Sequence, residues 1–207
     1  GHYLLKDNGE RMYFQAGDMR ILDLNSDTDK GLINEADRDI IGNPNPDIYG
    51  NIFTTLTYKQ FSLHAVMNYS LGNDIYNYQR SLLEGGTYFF NQTTAMQNRW
   101  TTEGQQTDIP RVSYTDPMGN SRFSDRWIED GSYLRLSSVT LSYHVPIQST
   151  YLQGVTFWGN AQNLFTLTHY LGSNPDCGFG SSILSQGIDR GILSAGRSFS
   201  LGVNINL

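Results

Sequence analysis

Cysteine, charge, histidine and long apolar runs are all scarce in this sequence of 207 residues. The single cysteine, Cys177, excludes an internal disulfide, and no basic neighbour marks it as a reactive thiol. Charged residues make up 16% of the chain and the net charge is −6, with no basic stripe, which excludes nucleic acid as a partner. No stretch approaches the ~20 consecutive apolar residues of a spanning helix, and the mean hydropathy is −0.42. A helical membrane protein is thereby excluded. A β-barrel is not, because alternating strands hide their apolar face from any average. Four scattered histidines (His2, His64, His144, His169), with no Gly-x-Ser-x-Gly and no His-Glu-x-x-His, supply no catalytic set, so the chain reads as a non-enzyme. The opening Gly1–Lys6 lacks the basic start and apolar core of a signal peptide, and reads as a chain entered downstream of its first residue.

What the sequence does have is aromatic content of 13% and long stretches of period two. In 198–207, Phe199, Leu201, Val203, Ile205 and Leu207 alternate with Ser198, Ser200, Gly202, Asn204 and Asn206. One face is wholly apolar and the other small or polar without charge, the pattern of a strand between lipid and lumen. The same alternation predicts strands over 48–57, 61–71, 133–145 and 155–168, and a short hairpin in 1–16 around Asp7-Asn8-Gly9. Short connections (58–60, 146–154) alternate with long ones (17–47, 73–130, 171–193). In an antiparallel meander the long ones all leave from one side, as outer-membrane barrels arrange external loops and periplasmic turns. Tyr49, Tyr58, Phe61, Tyr69, Tyr133, Tyr143, Tyr151, Phe165 and Tyr170 lie near strand ends, where they would form interfacial girdles. The fold class read from this is all-β: about five or six antiparallel strands with the alternation and loop asymmetry of a transmembrane barrel, which the resemblance below makes a large one.

Two loops carry chemistry. The segment from Asp18 to Asp47 holds most of the net negative charge, and within it Asp23, Asn25 and Asp27 fit the first, third and fifth positions of an EF-hand-type loop. Gly31, Ile33 and Asp37 keep the spacing of its sixth, eighth and twelfth positions if Thr28, Asp29 and Lys30 count as an insertion. Two readings stay open here, a solvated acidic turn and a loop bridged by a structural Ca²⁺. No other cofactor is called for. In 73–130, where Ser81–Trp100 reads as partly helical, Trp100, Tyr114, Phe123 and Trp127 stand among polar residues. They are either stacking surfaces for a ligand or partner, or a small core of the loop itself.

Several stretches resemble the C-terminal part of the SusC/RagA type of TonB-linked outer-membrane transporters of Bacteroidetes. They are Ile41-Gly42-Asn43-Pro44-Asn45-Pro46-Asp47, Gly72–Asn77, Asp125–Leu136, Gln162-Asn163-Leu164-Phe165-Thr166, and Gly172 with Asn174-Pro175-Asp176. The likeness runs through nearly the whole chain in order. The chain departs from the family in its insertion at Thr28–Lys30, where members have a tighter Asp-x-Asn-Gly-Asp-Gly loop, and in ending on Leu207 where many end on Phe. The resemblance implies a barrel of about 22 strands, with a plug, a TonB box and further strands outside this chain. It also implies a SusD-type lipoprotein partner, an outer-membrane location in a Gram-negative bacterium, and import of oligosaccharides or peptides powered through TonB. In that frame 198–207 is the barrel-closing strand. The alternative from a different class is a secreted, Ca²⁺-stabilised β-sandwich that binds carbohydrate.

Overall fold

Period-two alternation becomes long antiparallel strands in the computed structural model, which describes residues 1–25, 28, 30–147, 149, 151–177 and 185–206. In chain order the strands are β1 (Tyr3–Leu5), β2 (Arg11–Tyr13), β3 (Ile48–Tyr58), β4 (Phe61–Leu71), β5 (Asp74–Asn77), β6 (Ile128–Asp130), β7 (Tyr133–Pro146), β8 (Gly154–Thr168), β9 (Ile188–Asp189) and β10 (Ser198–Asn206). One helix, α1 (Tyr78–Glu84), and short 3-10 turns complete the described elements. The chain divides into two units, Gly1–Gly42 with Asn77–Ile128, and Asn43–Tyr76 with Glu129–Leu207.

The second unit is built on a five-stranded sheet in the order β10-β8-β7-β4-β3, so sheet neighbours follow chain order and all four pairings are antiparallel. Directly paired residues share a face, and the register aligns the apolar positions into rows that cross the whole sheet. One row is Leu56, Leu63, Leu141, Gly159 and Leu201. The next, toward the tight β3–β4 and β7–β8 connections, is Tyr58, Phe61, Tyr143, Phe157 and Val203. On the other side of the leucine row stand Thr54, Ala65, Val139, Ala161 and Phe199. This face is open: Leu201 is 89% exposed, and Leu56, Phe157, Phe199 and Ile205 are exposed with it. A sandwich would bury such a face against a second sheet. Lipid is the medium in which it costs nothing to leave it open, and β3, 11 residues long, rises about 28 Å at ~3.3 Å per residue and a tilt near 40°, close to the ~25 Å apolar band of a barrel.

The opposite face is polar and is laced by cross-strand hydrogen bonds, though the buried Asn68 Oδ1 on it lacks a partner among the described residues. The Asn160 side chain donates to Ser138 (2.9 Å) and Thr140 (2.8 Å), while Thr55 meets His64 and His144 meets Thr156, each at 3.0 Å. Register shifts at Val66/Met67 and Leu136/Ser138 mark bulges. At the second, Asn163 takes φ +53°, a left-handed conformation that asparagine tolerates better than most residues. The bulge keeps Leu136 and Phe165 on the apolar face above it.

Several expectations shift. The girdle is narrower than the sequence suggested: Tyr58, Phe61 and Tyr143 form one aromatic row, with Phe157 added. Tyr49 and Tyr133 fall on the polar face by register with Ser70. Tyr170 is buried with Ile75 and Cys177. The 73–130 segment, expected to hold no good strand, contains β5 and β6, which join β9 in a small sheet of order β6-β5-β9. The helix starts earlier than predicted because the Asn77 side chain caps it by accepting from Arg80 N at 2.9 Å, and it stops at Gly85. Among the described residues no helix is long and apolar enough to cross a membrane. Leu207, counted with the closing strand, lies outside the described residues.

Candidate functional site

Connections on the Leu71, Tyr133, Thr168 and Ser198 ends of the wall strands are the long ones, and charged and polar side chains gather at that end. Near this rim the polar face holds Arg135, whose guanidinium donates to Thr166 Oγ1 (3.0 Å), Asn174 Oδ1 (2.6 Å) and Asp176 Oδ2 (3.3 Å). The same region encloses a cavity of about 190 Å³ lined by Arg135, Asn163, Thr166, Ser194 and Arg197. Asn163 shapes it, since its side chain donates to Gly196 O at 3.3 Å and so draws the approach to β10 over the bulge.

Cys177 sits against Tyr170, whose hydroxyl donates to Asp189 Oδ2 at 2.6 Å. Burial, followed by the Asp189 charge, pushes the Cys177 thiol up to about 12. A maleimide reagent at pH 7 should therefore leave the native protein unlabelled and modify Cys177 fully in denaturant, read by mass spectrometry; labelling of the native protein within minutes would contradict this burial.

In the first unit, Trp127 is 0% exposed, which for this residue fits the loop-core reading of the two left open. Its indole N–H donates to Arg122 O at 2.9 Å, Arg126 lies 4.3 Å and Arg80 5.4 Å from the ring centre, and Arg80 pairs with Glu84 at 3.0 Å. Burial first, then the neighbouring Arg80, lowers Arg126 to about 10. Trp100 also packs inward, across Gly17, whose φ of +85° and missing side chain let the indole lie on the backbone. Tyr114 and Phe123 are exposed, as a contact role needs. The sequence reading missed the run Tyr88-Phe89-Phe90: Phe89 is 94% exposed and stacks with Tyr114 at 5.4 Å, and Tyr88 with Phe90 at 5.6 Å. Three consecutive aromatics outside a strand or helix cannot all reach one core, and that was the available signal.

The first unit is fastened by Asp18. Its carboxylate, 1% exposed, receives two hydrogen bonds from Arg111 (2.8 and 3.1 Å) and one from Asn120 (2.9 Å), and Asn120 in turn accepts from Met19 N. Burial acts to raise the pKa of Asp18, but the hydrogen bonds from Arg111, Asn120 and Gln15 N outweigh it and hold it below the usual carboxylate range. Its contribution to stability is present above the unfolded value near ~3.9 and is lost as pH falls through the folded one. Melting between pH 5 and 2 should show a steeper loss in wild type than in Asp18→Asn; parallel curves would remove Asp18 from this role.

The acidic loop brings Asp23, Asn25 and Asp37 together, while Asp27 lies outside the described residues. Asp23 Oδ2 accepts from Gly31 N at 2.7 Å, and Asp37 accepts from Leu24 N and Asn34 N at 2.8 Å each. Burial would raise the pKa of Asp37, and these backbone donors overcome it and lower it. Among the described residues no three His, Cys, Asp or Glu side chains gather as a metal group.

No family model matches the chain. Among curated proteins it is 34% identical over 183 residues to TonB-dependent receptor P3 of Formosa agariphila, covering 84% of this chain and 18% of the receptor. TonB-dependent receptor P26 of the same organism is 28% identical over 186 residues. Among solved structures, the RagAB peptide importer in its closed-closed state superposes with a TM-score of 0.69 at 21% identity, over 98% of this chain and 20% of that one. Its open-open state gives 0.66 at 24% identity, over 78% and 17%. At that identity the structures establish the fold alone, that of a β-barrel wall. The chain spans less than a fifth of the length of the curated relatives it matches. By sequence it belongs to the TonB-dependent receptors, of which it spans one segment, and its fold is that of the matching stretch of the RagAB importer.

Proposed function

We propose that the chain forms one section of the wall, with outward loops, of an outer-membrane importer driven through TonB, working with a SusD-like surface lipoprotein. The observation that carries this reading is the open apolar face crossing all five wall strands opposite a hydrogen-bonded polar face, which suits a barrel wall between lipid and a wet lumen. The plug, the TonB contact and the remaining strands belong to the rest of such a receptor. The segments 17–47, 73–130 and 171–193 are its extracellular loops, and β10 its closing strand. The strands supply the wall and the loops the recognition, so transport needs no catalytic residue in this chain.

Peptides are the cargo favoured here over oligosaccharides, because the rim cavity carries Arg197, which suits a carboxylate, beside an Arg135 already held by Asp176, and because the structural neighbours are peptide importers. The test is uptake of labelled peptides and of labelled oligosaccharides by cells expressing the complete receptor, with and without TonB. Peptide uptake that vanishes without TonB supports the reading; uptake of neither class, or uptake indifferent to TonB, overturns it. In the same assay, replacing Tyr88, Phe89, Phe90 and Tyr114 together by alanine should reduce uptake by about tenfold or more while leaving the folded barrel intact, since the two aromatic pairs they form contribute ~1 kcal/mol each beyond area at a contact site. Unchanged uptake would remove these loops from cargo or partner contact.

A further inference from the structure

We infer that the rim cavity receives the last residue of a peptide, with Arg197 pairing its free C-terminal carboxylate; this rests on the peptide import proposed above. The two arginines that line the cavity differ in what they already hold. Arg135 is committed. Its side chain is 15% exposed, its charge is answered by Asp176 at 3.3 Å, and it also donates to Thr166 and Asn174. Arg197 is exposed, and no aspartate or glutamate among the described residues pairs with it. The cavity therefore carries one positive charge in excess, on a planar fork that matches a carboxylate. All of its lining residues belong to the second unit, so the site is built within one body.

The bulge of β8 gives the cavity a second, apolar side. A regular strand turns successive residues to opposite faces, yet the consecutive residues Asn163 to Thr166 all line this one space. The left-handed backbone at Asn163 and the register shift opposite it break the alternation and bring Leu164 and Phe165 in beside the polar groups. Thr166 Oγ1 accepts from Arg135, which leaves its own hydroxyl proton to donate to a ligand. A free chain end suits this combination. It presents a carboxylate and, one carbon away, the last side chain; with an apolar last residue the first meets Arg197 and Thr166 and the second meets Leu164 and Phe165. The cavity of about 190 Å³ is the space of roughly six waters at ~30 Å³ each, enough for one residue and too little for a run of chain. An aspartate or glutamate inside a peptide fits less well, because its backbone continues in both directions and no apolar group accompanies its carboxylate.

The test is a competition on the complete receptor, purified in detergent. The probe is a pool of heptapeptides with randomised interior positions and a fixed C-terminal leucine, prepared as free acids and as C-terminal amides and mixed in equal amounts. Retained peptides are counted by mass spectrometry. Wild type should retain the acids about tenfold or more over the amides, the worth of a charge-assisted bond to an arginine. Arg197→Gln should lower retention of the acids to that of the amides, and Arg197→Lys, which keeps the charge but not the fork, should restore part of the preference. The inference is overturned if wild type retains acids and amides equally, if the preference survives in Arg197→Gln, or if that variant loses both forms alike. Amides with an interior glutamate retained as strongly as the free acids would also overturn it, by making a side chain the source of the carboxylate. Retention of neither form by wild type would instead sink the peptide cargo itself, and the inference with it, whereas equal retention of both leaves peptide import standing and removes only the reading of the chain end.

Discussion

Leu201→Lys should destabilise the barrel by about 2–4 kcal/mol, the cost of a lysine on the lipid face near mid-membrane. Leu201 lies in a row with Leu56, Leu63, Leu141 and Gly159, one step inside the aromatic row that ends on Val203. The register puts Val203 next to Phe157, in the aromatic row that Tyr58 and Phe61 share at the tight-turn end of the wall. Val203→Lys should accordingly cost less, toward ~1 kcal/mol, and Ser200→Lys on the polar face less than about 0.5 kcal/mol. Folding titrations from denaturant into micelles give the order. A Ser200 penalty larger than that of Leu201 would invert the faces assigned to β10.

The other large effect belongs to the first unit. Trp127→Ala should cost about 3–5 kcal/mol of that unit's stability. It removes a wholly buried ring and the surface on which Arg126 rests. Both terminal nitrogens of Arg126 are buried without a hydrogen-bond partner among the described residues, so the ring is a large part of what compensates its charge. Trp127→Phe, which retains a ring but not the bond to Arg122 O, should recover roughly half of that loss. Phe89→Ala should change stability by less than about 0.5 kcal/mol, because that ring is already in solvent. Hydrogen exchange across 78–127 would resolve the three variants. Equal exchange in wild type and Trp127→Ala would mean the indole does not anchor the unit.

The wall was legible in the sequence because period two is a local property: each apolar residue of 48–71, 133–145, 155–168 and 198–206 announces its own face. Long strands also average over errors, which is why His64 and Val66 did not obscure β4. β5, β6 and β9 were not legible, being too short to show a period. The bulge at Asn163 was hidden for another reason, since its left-handed backbone reflects a register mismatch between two distant strands. Aromatic residues in polar surroundings gave the poorest guide. Trp127 and Phe123 look alike in sequence, yet one is enclosed by Arg80 and Arg126 and the other faces water. Only long-range packing separates them. In the acidic loop the spacing was a better guide to proximity, since Gly31 turns the chain back toward Asp23 and Asp23, Asn25 and Asp37 meet.

Pairing in chain order also has an evolutionary side. Between β4 and β7 the chain leaves at Tyr76 and returns at Glu129, and the intervening segment packs with the first forty-odd residues as a unit of its own. Doubling the length of such an excursion adds only about 0.6 kcal/mol of closure entropy, and none of its residues enters the register of the wall. That unit is therefore free to diverge, by insertion, loss or wholesale exchange, while selection on the apolar rows of the wall continues undisturbed. In the importer proposed above, a lineage could change what its loops recognise far faster than it could change how its wall sits in the membrane.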